Sequence, residues 1–134
     1  MEGMISAYEL LKEKRIYEIV EDVTQSIIKR QRHSGGWYCN FQKSRSLMGE
    51  DCKGIACIGK ALLDWSKYSE HKEELERSAR KALSWCEEHT DEDTGMILSF
   101  SCNGAISHSL NTSTGMLYAN AYALEIDSLL LSKC

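Results

Sequence analysis

Asp51-Cys52-Lys53-Gly54-Ile55-Ala56-Cys57-Ile58-Gly59-Lys60-Ala61-Leu62-Leu63-Asp64-Trp65, continuing to Tyr68, is the stretch that decides the fold. Ile55, Ile58, Leu62 and Trp65 recur at steps of about three and four and predict a helix with one apolar face. Gly54, Cys57 and Ala61 make a second stripe of small residues, which lets a neighbour approach closely. A further helix follows almost at once. Leu75, Ala79, Ala82, Leu83 and Cys86 mark it as far as about His89, with Ser69 placed to cap it. Glu70, Glu73 and Glu74 stand in its first turns, where the helix dipole favours anions. So short a connection makes the two helices antiparallel neighbours.

The same arrangement extends outward in both directions. Ser6-Ala7-Tyr8-Glu9 has the capping-box form. Ile16, Val20, Val23 and Ile27, with Ile19 beside them, predict an amphipathic helix to about Gln31, broken near Lys14. At the other end a helix is expected from Asn111 or Thr112 to Leu131. It is apolar nearly all round from Met116 to Leu124, a pattern that predicts burial. The halves align at an offset of 59: Ile16 falls on Leu75, Val20 on Ala79, Val23 on Ala82, and Gly36-Trp37 on Gly95-Met96. Each half is a helix, a glycine-containing loop and a more apolar helix, a repeated αα-hairpin. The expectation is one all-α domain over 1–134, with about four main helices in hairpins at about 5–68 and 69–132.

Composition narrows the function classes. The chain has 134 residues, 43% hydrophobic and 27% charged, as in a folded globular domain. No apolar run reaches the roughly 18–20 residues of a membrane span. A net charge of −4 argues against a protein that lives on phosphate contacts, so neither a nucleic-acid nor a membrane partner is expected. Six cysteines without a C-x-x-C pair, two of them at apolar helix positions, suggest a reducing, cytoplasmic setting. The first residues lack the apolar stretch of a secretory signal. Proline is absent, as suits a chain that is mostly helix.

The two long loops, about 18–20 residues against a usual 4–6, must lie together at the end opposite the short turn. Long loops gathered on a rigid scaffold tend to carry function. Gly35-Gly36-Trp37, the segment Glu50-Asp51-Cys52-Lys53-Gly54-Ile55-Ala56, Thr94-Gly95-Met96 and Thr112-Ser113-Thr114-Gly115-Met116 give a pattern over about residues 10–131. That pattern resembles the α,α-toroid group, which includes six-hairpin glycosidases and the terpenoid-cyclase and prenyltransferase toroids. The resemblance implies a cavity lined by inner helices and by the loops at one end. A closed toroid needs more helices than this chain supplies, so three arrangements stay open with it: several chains assemble, most simply as a homo-oligomer, the chain is a piece of a longer toroid, or it is a stand-alone bundle of similar pattern.

Carbohydrate is the favoured small-molecule ligand. Trp37, Tyr38 and Phe41 offer flat rings to a sugar face, with Arg45, His108 and Asn111 as polar contacts, although Trp37 after Gly-Gly equally suits a structural plug between the hairpins. Glycoside hydrolysis uses two carboxyls about 5–10 Å apart. Asp51 and Asp93, one from each loop, are the preferred pair, with Glu50 beside them. Asp51 is equally a good N-cap, and Asp91 and Asp93 are good turn formers. The prenyltransferase likeness implies a catalytic zinc, and Asp51 or Glu50, Cys52 and His108 are the matching positions, with an open fourth place. That metal reading is not favoured, and no cofactor is expected. Cys102, His108 and Asn103 share one loop as a weaker nucleophilic set. The run Lys29-Arg30-Gln31-Arg32-His33 suits a helix C-terminus or an anion contact shared with Lys43 and Arg45. The competing reading is a non-enzymatic module that binds a protein partner or assembles with itself.

Overall fold

A computed structural model describes residues 1–38, 50, 52–98 and 117–132. Among the described residues five helices appear in chain order: α1 (Glu2–Leu11), α2 (Lys14–Ile28), α3 (Cys52–Trp65), α4 (Lys72–Glu88) and α5 (Leu117–Leu131). The protein is all-α, and its helices pack as hairpins around α3, whose main neighbours are α4 and α5.

The break expected near Lys14 is present and separates α1 from α2. Lys12 adopts a left-handed conformation, φ 51°, and its N–H closes α1 on the Tyr8 carbonyl; Glu13 is extended and begins α2. The reversal brings the Tyr8 and Tyr17 rings to 5.7 Å. Neither Gly nor Pro marks this break. The supposed capping box at Ser6–Glu9 therefore lies inside α1. Ser69 also departs from expectation. Its hydroxyl accepts the His71 N–H ahead of α4 and donates to Glu21 Oε1 on α2, so it fastens the turn to a neighbouring helix.

Gly59 lies where α3, α4 and α5 meet. A Cβ there would stand 3.0 Å from both Ala82 Cβ and Ile126 Cδ1. Ala56, Ala61, Ala79 and Ala82 are buried around this approach. At the short-turn end, Trp65 is fully buried between the Tyr8, Tyr17 and Tyr68 rings, at centroid distances of 5.3–5.7 Å. Its indole N–H donates to Glu21 Oε2 at 2.7 Å.

The repeat is visible but imperfect. Val20 and Ala79 are both buried, whereas Val23 is 42% exposed and its counterpart Ala82 is buried. In the loops the register advances by one. Gly35 (φ 94°) and Gly95 (φ 68°) take left-handed conformations, and two residues on Trp37 and Ile97 enter the core. Each loop also holds one antiparallel bridge, Tyr38 with Glu50 and Thr90 with Ile97.

α5 is less enclosed than its composition suggested. Ala119, Ala123, Ile126 and Leu130 are buried, while Leu124 and Leu131 stand 70% and 66% exposed. Its expected start at Asn111 or Thr112 lies outside the described residues.

Candidate functional site: the loop end of the bundle

Glu50 organises the end at which α2 finishes and α3 begins. Its side chain is 14% exposed, and Oε2 pairs with Arg32 at 3.1 Å. The buried Trp85 of α4 donates its indole N–H to the same oxygen at 3.2 Å. Ser34 donates its hydroxyl to Oε1. A guanidinium and a hydroxyl from the turn after α2 and an indole N–H from α4 thus share one carboxylate. Charge-assisted bonds of this kind are stronger than neutral ones.

The approach of Gly35-Gly36 makes this arrangement possible. The Gly35 N–H bonds the Arg32 carbonyl at 3.0 Å, and the Arg32 N–H bonds the Gly36 carbonyl at 2.9 Å. A Cβ on Gly35 would meet the Lys81 carbonyl oxygen at 2.3 Å, besides straining a left-handed φ. A Cβ on Gly36 would meet Glu50 Oε1 at 2.6 Å. Gln31 donates to the Gly35 and Ser78 carbonyls, at 2.7 and 2.9 Å, and accepts from the Ser78 hydroxyl, which joins the same turn to α4.

Around Glu50 lie groups suited to polar ligands. The Arg32 guanidinium sits 4.3 Å from the centroid of the half-buried Tyr38 ring, within cation–π range. The exposed His89 stacks on Trp85 with centroids 3.8 Å apart and planes 12° apart. Arg30 belongs to the helix end instead, donating to the Ser26 carbonyl.

The second loop is held as a turn. Asp91 Oδ1 accepts from the Thr94 amide (2.8 Å) and hydroxyl (2.6 Å), bonds that hold its carboxyl below the usual value. Asn120 of α5 accepts from the Ile97 N–H and donates to the Gly95 carbonyl, which ties the turn to α5. Asp93 is exposed at the tip.

The sequence-predicted residues therefore separate. Glu50 and Tyr38 face each other through their backbone bridge. Trp37 does not offer its ring: it is 2% exposed and donates its N–H to the Ile27 carbonyl at 2.9 Å, so it fills the core. Asp51, Phe41, Arg45, His108 and Asn111 lie outside the described residues, as do Cys102 and Asn103. Cys52 opens α3 fully buried. Among the described residues no group of three or more His, Cys, Asp or Glu is placed to hold a metal. Trp85 and His89 were missed by the sequence reading, since only the fold brings α4 to Glu50. Arg32 was noted within its basic run, but nothing local pairs it with a residue eighteen positions on.

The buried Cys86 is held as a neutral thiol. Desolvation, with Cys52 close by, pushes the Cys86 thiol up from 9.0 to about 12. An unfolded chain ionises this thiol near its ordinary value, so its contribution to stability is complete below pH 9 and lost as pH rises toward 12. Thermal melts are expected to show an alkaline loss of stability that Cys86→Ala reduces. Iodoacetamide at pH 8 should leave Cys86 unmodified until the protein unfolds.

No family model matches the chain, and no curated protein matches it. The fold is similar to that in the crystal structure of a possible member of the GH105 family from Salmonella enterica subsp. enterica serovar Paratyphi A. The two are 17% identical with a TM-score of 0.72, over 96% of this chain and 36% of that one. The chain thus spans little more than a third of its neighbour's length, and the likeness is one of fold: a partial, toroid-like arrangement of helical hairpins.

Proposed function

We propose that the protein is a carbohydrate-binding α-hairpin module of the toroid type, with its ligand at the loop end. The observation that carries this reading is the Glu50 centre. A well-fixed carboxylate, a guanidinium over a tyrosine ring and a stacked imidazole are grouped at the end where both long loops begin. Sugars are recognised by such mixtures, because hydroxyls need fixed polar partners and the ring face needs a flat apolar surface. The toroid-like fold, shared with a possible member of a glycosidase family, supports the ligand class.

In this reading Arg32 and Tyr38 form the rim, and Phe41, Arg45, His108 and Asn111 add contacts from the loops. Glu50 already accepts from three donors, so its role is to orient the rim and to accept from a sugar hydroxyl. Hydrolysis is assigned to Asp51 and Asp93, one as acid and the other as base or nucleophile. The test is release of reducing ends from a panel of oligosaccharides. Asp51→Ala and Asp93→Ala should each remove turnover by at least about a hundredfold while the circular dichroism stays native. Full activity in both variants would refute the acid/base assignment.

A further inference from the structure

Independently of the carbohydrate reading, we infer that the outer face of α5 is a docking surface for a second copy of this chain, its α5 lying antiparallel. Ala121, Leu124, Ser128 and Leu131 recur at steps of three, four and three, and all four are exposed. This is the spacing of a helix-packing seam. It lies opposite the face formed by Ala119, Ala123, Ile126 and Leu130. Depressions flank Leu124 on both sides. One, of about 210 Å³, lies toward α4 beside Cys86, Glu87 and Asp127; the other, of about 430 Å³, lies toward α3 beside Lys60 and Leu129.

The alternation of side-chain size selects the occupant. Along the seam the residues run small, large, small, large. In an antiparallel pair of identical helices, the register that sets Leu124 over Ser128 of the other copy also sets Leu131 over Ala121. Every leucine then meets a small residue, and both contacts occur twice by the two-fold symmetry, as an isologous interface requires. Leu10 and Leu11, the other strongly exposed leucines among the described residues, are adjacent in sequence and point about 100° apart, so they form no such seam. Flanking charge limits the affinity. Glu125 is held by Lys60 at 3.3 Å, but Asp127 is exposed and faces its own copy across the axis. A helix of 15 residues also covers less than the roughly 800 Å² per partner of a stable complex. The dimer is accordingly weak, with Kd on the order of tens of micromolar, and tightens when salt screens Asp127.

Sedimentation velocity on the full chain, from about 1 to about 500 µM, reads this directly. The wild type should pass from monomer to dimer, with a Kd that falls severalfold in high salt or in Asp127→Asn. Leu124→Lys and Ser128→Asp should each remain monomeric with native circular dichroism. Mixed in equal amounts they should dimerise again, because one Lys–Asp pair replaces one Leu–Ser contact while the other is retained. A wild type that stays monomeric throughout overturns the proposal. So does a dimer indifferent to Leu124→Lys, which would place the contact elsewhere. Trimers or open-ended assemblies would signify head-to-tail packing, and failure of the mixture to recover would contradict the register.

Discussion

Trp65→Ala is expected to lower the stability by about 3–5 kcal/mol, the range for removing a large aromatic ring from a core. The ring is fully buried against Tyr8, Tyr17 and Tyr68, so its loss leaves a cavity bounded by α1, α2 and the α3–α4 turn. It also strips Glu21 of its 2.7 Å indole donor, leaving that half-buried carboxylate to Ser69 and a more distant His71. A domain of this size holds only about 5–15 kcal/mol in total, so the melting temperature should fall by about 10–15 °C. Trp65→Phe keeps most of the ring packing and loses the hydrogen bond, and should cost about 1–2 kcal/mol. Equal losses in the two variants would show that the Glu21 bond, and not the packing, holds this end together.

Glu50→Ala is the second large effect, and it belongs to the opposite end. Removing the carboxylate leaves the buried Trp85 N–H without its acceptor and Arg32 without its counter-charge. A buried donor left unsatisfied costs about 1–3 kcal/mol, and the lost ion pair adds to it, so about 2–4 kcal/mol is expected in denaturant melts. Arg32→Ala alone should cost less, because Arg32 is more exposed and can be replaced by water. The double variant should cost less than the sum, by about 1 kcal/mol, because the two share one contact. Strict additivity would mean that Arg32 and Glu50 do not interact in solution. Gly36→Ala should resemble Glu50→Ala, since the added methyl would stand 2.6 Å from the same carboxylate.

Much of the fold was legible because hydrophobic spacing is a local signal. The stripe Ile55, Ile58, Leu62, Trp65 located α3, and Leu75, Ala79, Ala82, Cys86 located α4, each to within a few residues at its ends. The break at Lys12 was harder to read. A lysine in a left-handed conformation carries no signature of its own, so the α1–α2 boundary showed only as an interruption near Lys14. α5 misled for a different reason. Alanine and leucine all round imply burial only when enough neighbours exist to cover them, and here the described residues leave Leu124 and Leu131 largely uncovered.

The site was legible in composition but not in assembly. Glu50 and Tyr38 could be picked out by residue type and by their place beside a long loop. Their partners could not, because Arg32, Ser34 and Trp85 reach Glu50 only after α2, α3 and α4 have packed. Trp37 was ambiguous by nature: an indole after Gly-Gly suits a sugar platform as well as a core plug. The Ile27 carbonyl, accepting its N–H at 2.9 Å, places it in the core.

The most direct measurement for the central claim, a ligand site centred on Glu50, is a two-dimensional ¹⁵N–¹H spectrum of the labelled protein titrated with defined neutral and acidic oligosaccharides. Saturable shifts are predicted at the Arg32 and Glu50 amides, the Tyr38 amide, the Trp85 indole N–H and the His89 amide, with the Trp65 indole unmoved. No saturable shift with any sugar at millimolar concentration, or shifts gathered instead around Tyr8, Trp65 and Tyr68, would contradict it.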